Sequence, residues 1–222
     1  DRAEYFKELA NELKAELDYK RELAQLEAFR GHFARWPDVV VPRAFPKLCS
    51  AHVLVMEHFD GPTLHEASSR IESLSAQQRF EIAERLVKAV YGPFILHGVV
   101  HSDTHPGNYL VMPEQLVVLD FGSVKQLSEK FWRATVEALE AEVEQKPVDW
   151  LALLRRAGFA VELPEPRARK LLGELGDALS ALFRGPYDFQ TDPMVRRLGE
   201  IKRRHLLDLL RIRPPAEALL FY

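Results

Sequence analysis

Two histidines, two aspartates and an asparagine crowd residues 98–124, in the run GVVHSDTHPGNYLVMPEQLVVLDFGSV. His101, Asp103 and His105 alternate, so an extended segment would turn all three to one side, where they could share a cation. A zinc site asks for a fourth ligand in a rigid frame, and no H-E-x-x-H helix or cysteine ligand accompanies them. Asp and His in an Asp-Thr-His-Pro-Gly turn can also serve local backbone bonding alone. That reading leaves a second acidic turn, Asp120-Phe121-Gly122, without a reason. Phosphoryl transfer accounts for both turns. It needs a carboxylate that orients or deprotonates the acceptor, and hard oxygen ligands that hold Mg²⁺ on the phosphates. Asp103, Asn108 five residues on, and Asp120 beyond a short hairpin supply those groups.

The elements that must position these residues follow from periodicity. Residues 1–35 read as one long helix, with Phe6, Leu9, Leu13, Leu17, Leu23, Leu26 and Phe33 at helical spacing and Pro37 ending it. VVVP (39–42) and HVLVMEHF (52–59) read as two strands joined by a turn at Pro46-Lys47. Gly61-Pro62 marks a turn. Ser75 reads as the N-cap of a helix running to His97, with Phe80, Ala83, Leu86, Val87 and Val90 on its apolar face. NYLVM and LVVLDF form a hairpin about the turn PEQ. From Ser128 onward the pattern is helical, near 128–145, 148–157, 165–184 and 193–211. This is an α+β layout with the chemistry on and beside a hairpin between helical layers.

Composition narrows the class. Hydrophobic residues make up 47% and charged residues 28% of 222, enough for a packed core and unlike a disordered chain. The net charge of −3 predicts no general affinity for nucleic acid. A single cysteine, Cys49, rules out a disulfide framework and fits a reducing, intracellular compartment. The run 90–100 is too short and too interrupted to cross a bilayer. The chain opens within a helical pattern without Met and closes on LLFY, which reads as a fragment of a longer protein.

Asp103, Asn108 and Asp120 fit the kinase pattern H-x-D-x-x-x-x-N followed by D-F-G. More narrowly, HSDTHPGN resembles the H-A-D-P-H-P-G-N loop of the UbiB/AarF-domain atypical kinases. ELDYKRE (16–22) is similar to that family's E-x-D helix motif and its ion-pair Glu. VVVPRAF, HVLVMEHFDG, FGSVKQL and LRIRPPAEALL resemble further stretches, so the likeness runs from about residue 4 to the end. Ser102 stands where Ala is usual and Thr104 where Pro is usual.

The resemblance implies a protein-kinase-like fold, with a partial N-lobe over 1–60 and a largely helical C-lobe over 61–222. It implies Asp103 as the catalytic-loop aspartate, and Asn108 and Asp120 as Mg²⁺ ligands. Glu22 matches the helix glutamate that pairs with the phosphate-binding lysine, and Glu16 and Asp18 the E-x-D pair. Met56, Glu57 and His58 match the hinge beside adenine. ATP and Mg²⁺ are the implied cofactors. The family's K-x-G-Q segment, alanine-rich loop and lysine strand belong before residue 1. Without that lysine, this chain is expected to bind nucleotide at least about 10-fold more weakly than a full-length relative, or to be inactive. The short segment after Gly122 holds no A-P-E, so protein-kinase activity is not expected. The implied work is ATP hydrolysis, or phosphorylation of a lipid or quinone precursor, in ubiquinone or isoprenoid-lipid metabolism. The implied location is cytoplasmic or membrane-associated, and mitochondrial in a eukaryote. Two other readings are a non-enzymatic nucleotide-binding scaffold and an aminoglycoside- or choline-type phosphotransferase. The DFG, the HPGN and the E-x-D helix count against the latter.

One stretch suggests a partner by composition. Over 196–213, seven Lys and Arg outnumber Glu200 and Asp208, and Leu198, Ile201, Leu206, Leu209 and Leu210 interleave. Such a segment can contact a membrane peripherally, or it can pack its apolar side in a core and solvate its basic side.

Overall fold

The computed structural model describes residues 18–185, 187–188 and 193–215. It packs as two units, the first ending at Gln126 and the second starting at Leu127. Glu16 and the end of the LRIRPPAEALL stretch lie outside the described residues.

Of the long helix expected over 1–35, residues 1–17 lie outside the described residues, and a helix starts after Asp18. Asp18 has an extended backbone, and its carboxylate accepts the Lys20 N–H at 3.1 Å. Short acidic side chains satisfy free helix-start donors better than they propagate a helix, so Asp18 caps and α1 is Tyr19–His32. The cap places Asp18 outside the regular helix that carries Glu22. Leu26, Phe29 and Phe33 are buried along one side of α1.

After Trp36, β1 is Val39–Val40. The second expected strand does not form a ladder. The bridge Ala44↔Met56, the backbone bonds Phe45 N–H to Val55 O and Glu57 N–H to Arg43 O, both 2.8 Å, and side-chain bonds of Glu57 and Cys49 hold 43–57 together. Pro42 and Pro46 have no N–H to extend the pairing. A short helix α2 (Leu64–Ser68) follows, with Thr63 and Glu66 in a reciprocal capping box.

Helix α3 (Ala76–His97) has the expected start, Ser75 capping Gln78, and stops at Gly98, whose φ of 64° suits only glycine without strain. The buried face differs from the expected one. Ala89, Gly92 and Pro93 are buried and Leu86 and Val90 pack on the core, while Phe80 (64%) and Val87 (57%) are exposed. The rotation follows from Trp36, whose ring lies so close to Gly92 that a Cβ there would stand 2.3 Å from it. Gly98 turns the chain into β2 (Val99–His101). Strands β3 (Tyr109–Val111) and β4 (Leu116–Val118) form the expected hairpin. β4 pairs in parallel with β1, giving a three-stranded sheet of order β1-β4-β3. A strand the periodicity did not show, β5 (Val124–Gln126), pairs antiparallel with β2, His101 opposite Val124. Lys88 of α3 ties this unit further, its Nζ 2.8 Å from Asp38 Oδ2 just before β1.

The second unit holds α4 (Glu129–Val143), α5 (Trp150–Arg156), β6 (Ala160–Val161), α6 (Glu165–Ser180), α7 (Pro193–Arg204), α8 (Leu206–Leu209) and β7 (Ile212–Arg213). Two corrections apply. The helix expected over 193–211 breaks at His205, whose φ of −117° is not helical. The all-helical expectation also misses the antiparallel pair β6–β7, too short to show any alternation. Leu151, Leu171, Leu172 and Ile201 centre its core.

The Trp36–Gly92 contact generates a stability test. Gly92→Ala forces the indole out of place and lowers the unfolding free energy by about 1–3 kcal/mol, the usual cost of overpacking. Phe80→Ala, on the exposed side of α3, changes it by less than about 0.5 kcal/mol. Chemical denaturation of both variants reads the difference, and equal losses would show that the packing is not as described.

Candidate functional site

The site grows from the turn at Asp120. This residue has φ 58°, a left-handed backbone that costs a non-glycine residue of the order of 1 kcal/mol. Three contacts hold it there. The Gly122 N–H donates to Asp120 Oδ1 at 3.0 Å, an aspartate turn that partly offsets the strain. His101 Nε2 lies 2.5 Å from the Asp120 carbonyl oxygen. A carbonyl only accepts, so Nε2 carries the proton. The next amide, Phe121 N–H, donates across 99 residues of sequence to Glu22 Oε1 at 3.3 Å.

Beneath the turn, Phe121 is buried. Its ring lies 5.1 Å from Phe29 and 5.7 Å from the His101 imidazole, and Phe29 and His101 meet edge-on at 6.1 Å. Helix α1, strand β2 and the Asp-Phe-Gly turn are thus keyed through one aromatic trio. Phe29 stands seven residues after Glu22, so α1 presents the acid and the ring on neighbouring parts of one face.

Asp103 and Asn108 meet directly. Asn108 Nδ2 donates to Asp103 Oδ2 at 2.9 Å, and the His105 N–H donates to Asp103 Oδ1 at 3.2 Å. The His105 ring accepts the Gly107 N–H at 3.0 Å, which shapes the Pro106–Asn108 3-10 turn. That hydrogen bond gives the ring a structural task rather than a ligand's. The Leu119 N–H donates to the Asn108 carbonyl at 2.7 Å and brings Asn108 beside Asp120. Ser102, where Ala is usual in the similar loop, gives both its N–H and its hydroxyl to Ser123 O at 2.8 Å. The two acidic turns are joined at this point as well.

The cluster is electrostatically one-sided. Burial raises the Glu22 carboxyl above the ordinary range, the Phe121 N–H opposes this, and the Asp120 charge adds to it. Tyr109, at the start of β3, is pushed up to about 12 by burial and by the charge of Asp103. No Lys or Arg forms an ion pair with Glu22, Asp103 or Asp120 among the described residues. Carboxylates gathered without a cationic partner suit an incoming cation.

The other expected residues fall elsewhere. Asp18 caps α1. Met56 bridges Ala44 and packs on the core that holds Phe29 and Phe121. Glu57 bonds Arg43 through backbone and carboxylate, and His58 is exposed. Among the described residues no hydrogen bond links these three to the Glu22, Asp103, Asn108 and Asp120 group. Among the described residues no three His, Cys, Asp or Glu side chains converge as a metal-binding group, so His101, Asp103 and His105 do not form the alternating cluster that spacing allows. Phe29, Ser102 and Ser123 belong to the site's framework. Only Phe29 left a trace in the sequence, through its spacing from Glu22.

Residues 1–148 match the family described as ABC1 atypical kinase-like domain. Protein ACTIVITY OF BC1 COMPLEX KINASE 1, chloroplastic, of Arabidopsis thaliana is 29% identical over 68% of this chain and 22% of its own length. AarF domain-containing kinase 1 of Drosophila melanogaster is 33% identical over 54% of this chain and 24% of its own. Probable protein kinase UbiB of Pasteurella multocida is 30% identical over 62% and 27%. The chain therefore spans about a quarter of the length of these relatives. Among solved structures, the Rv3197–erythromycin complex from Mycobacterium tuberculosis superposes with a TM-score of 0.59. The match covers 91% of this chain and 57% of that one at 19% identity, a likeness of fold.

The raised Glu22 carboxyl sets a pH test. A group whose pKa is higher folded than unfolded favours folding when protonated, and this contribution is lost as pH climbs from the unfolded to the folded value. Glu22→Gln keeps an oxygen for the Phe121 N–H and removes the charge. The variant melts above wild type at pH 7, and the gap closes on acidification towards pH 4. A gap that stays constant over this range would show that the ionised carboxylate costs nothing here.

Proposed function

The chain belongs to the ABC1 atypical kinase-like family, and from that premise we propose that it binds Mg-ATP through Asn108 and Asp120 and, with Asp103 as the catalytic carboxylate, moves or hydrolyses the γ-phosphoryl group. One observation carries this reading: Asp103 is bonded to Asn108, whose carbonyl takes the N–H of Leu119, the residue before the strained Asp120. The donor set fits magnesium. Asn108 spends its amide nitrogen on Asp103 and keeps its carbonyl oxygen, and Asp120 spends Oδ1 on Gly122 and keeps Oδ2. An amide oxygen and a carboxylate oxygen are hard donors of the kind Mg²⁺ takes alongside phosphates. Bound there, the ion would neutralise charge on the phosphates during transfer.

Asp103 orients the attacking hydroxyl or water and accepts its proton. The His105 N–H and Asn108 amide hold one carboxylate oxygen each, which fixes the plane while leaving lone pairs free. Glu22 holds the Asp120 turn through Phe121 N–H. In the resemblance that residue pairs a lysine, and a cation there would offset the charge that now raises its carboxyl. Met56, Glu57 and His58 would border adenine.

The acceptor is a small lipid-like molecule, or water, in ubiquinone or isoprenoid-lipid metabolism. The short passage from Gly122 through β5 to the α4 cap at Ser128 supports this over a peptide, since no loop remains to seat one.

Titration of the chain with ATP, with and without Mg²⁺, tests the site. Binding requires the ion, and Asp120→Asn weakens it by about 10–100-fold, the scale of losing a metal-site group. Asp103→Asn leaves binding nearly unchanged and slows phosphate release or transfer by about 10²–10⁴-fold, the scale of a lost general base. Binding that ignores both Mg²⁺ and Asp120 would overturn the assignment.

A further inference from the structure

The basic stretch near the chain's end is divided by the break at His205 into an inward and an outward set. Leu198, Ile201, Leu209 and Ile212 pack in the second unit's core. Leu206, Leu207 and Leu210 do not, and are 51%, 75% and 70% exposed. Single exposed leucines are ordinary, but three at spacings of one and three residues on one helical turn form a contiguous apolar tip.

The charges around the tip are of one sign. Lys202, Arg203, Arg204 and Arg211 are exposed. Arg204 reaches Glu174 at 3.2 Å, while Lys202, Arg203 and Arg211 enter no ion pair among the described residues. The one acid between 202 and 211, Asp208, is 4% exposed and turned inward, accepting Arg167 Nε at 2.8 Å. Turned inward on Arg167, that carboxylate does not face the cations around the tip. Glu200, one turn earlier on α7, is the nearest exposed acid in sequence.

We propose that the turn joining α7 to α8 seats on a bilayer bearing anionic lipid. Leu206, Leu207 and Leu210 enter the headgroup boundary, and Lys202, Arg203 and Arg211 lie on lipid phosphates. An apolar tip ringed by unpaired cations matches the two terms that hold a peripheral protein on such a surface, apolar burial and attraction to negative headgroups. A nucleic acid would reward the cations but gain nothing from leucines, since it uses aromatic stacking. With a net charge of −3, the whole chain has no general attraction to polyanions, so the contact is confined to this tip. Among the described residues no helix is long and apolar enough to cross a membrane, and the tip needs none.

Co-sedimentation of the chain with vesicles tests this. It pellets with phosphatidylcholine vesicles that contain phosphatidylglycerol, less with phosphatidylcholine alone, and less again as salt is raised. Leu207→Glu with Leu210→Glu, and separately Arg203→Glu with Arg211→Glu, each lower the partition coefficient by about tenfold or more. Melting temperatures stay unchanged because the replaced side chains are exposed. Val143→Glu, an apolar side chain 66% exposed on α4, leaves binding intact. Leu207→Trp shows blue-shifted emission on the anionic vesicles and is quenched by brominated acyl chains. Failure to pellet, or pelleting indifferent to the leucine pair, overturns the proposal. Heparin binding as strong as vesicle binding and sensitive only to the arginines would assign a polyanion instead. Self-association abolished by Leu207→Glu would assign a second copy.

Discussion

The first unit is organised around holding Asp120 where its backbone does not want to be. A left-handed non-glycine residue persists only when its surroundings over-determine it. Here a helix supplies Glu22 to the following amide, a strand supplies His101 to the carbonyl, and the turn's own Gly122 satisfies the carboxylate. Each partner comes from a separate part of the chain, so the turn is correct only when α1, β2 and the hairpin are all in place. The aromatic trio beneath gives the same assembly its apolar adhesive. Strain at Asp120 and packing in the core are therefore one arrangement in this fold.

The price of this arrangement is concentrated negative charge. Glu22 pays it directly, since its burial beside Asp120 disfavours ionisation. The proposed Mg²⁺ site makes sense of such a cost. A cation-binding site must hold carboxylates close before the cation arrives, and the fold rather than ion pairing has to hold them.

Much of this could be read in the sequence because the signals were local. Ser75 and Gly98 bracket α3 as their cap preferences require, and the D-x-x-x-x-N and D-F-G spacings mark the two turns. The failures share a cause, which is that a distant partner decided the outcome. Phe80 and Val87 have the right spacing for a buried face, yet Trp36 against Gly92 rotates α3 away from them. Strand β5 is three residues long and exists because β2 lies opposite it. Helical spacing continues through Asp18, but its side chain competes for the helix-start amide. The function of Ser102 was hidden for the same reason, as Ser123 is 21 residues away.

The pairing of His101 with Val124 has a consequence for how the site assembles. It closes a loop that contains Asp103, Asn108 and Asp120, and within it the β3–β4 hairpin brings the ends of the two turns together over short stretches of chain. Closing short loops sacrifices little chain entropy, and such contacts form early. The Glu22 contact spans 99 residues and depends on α1 docking. Two kinds of contact are thus separated: the ring of Asp103, Asn108 and Asp120 is tied by nearby chain, and Glu22 reaches it only through long-range docking of α1. Whatever moves α1 acts on a ring already formed, by tightening or releasing a single turn.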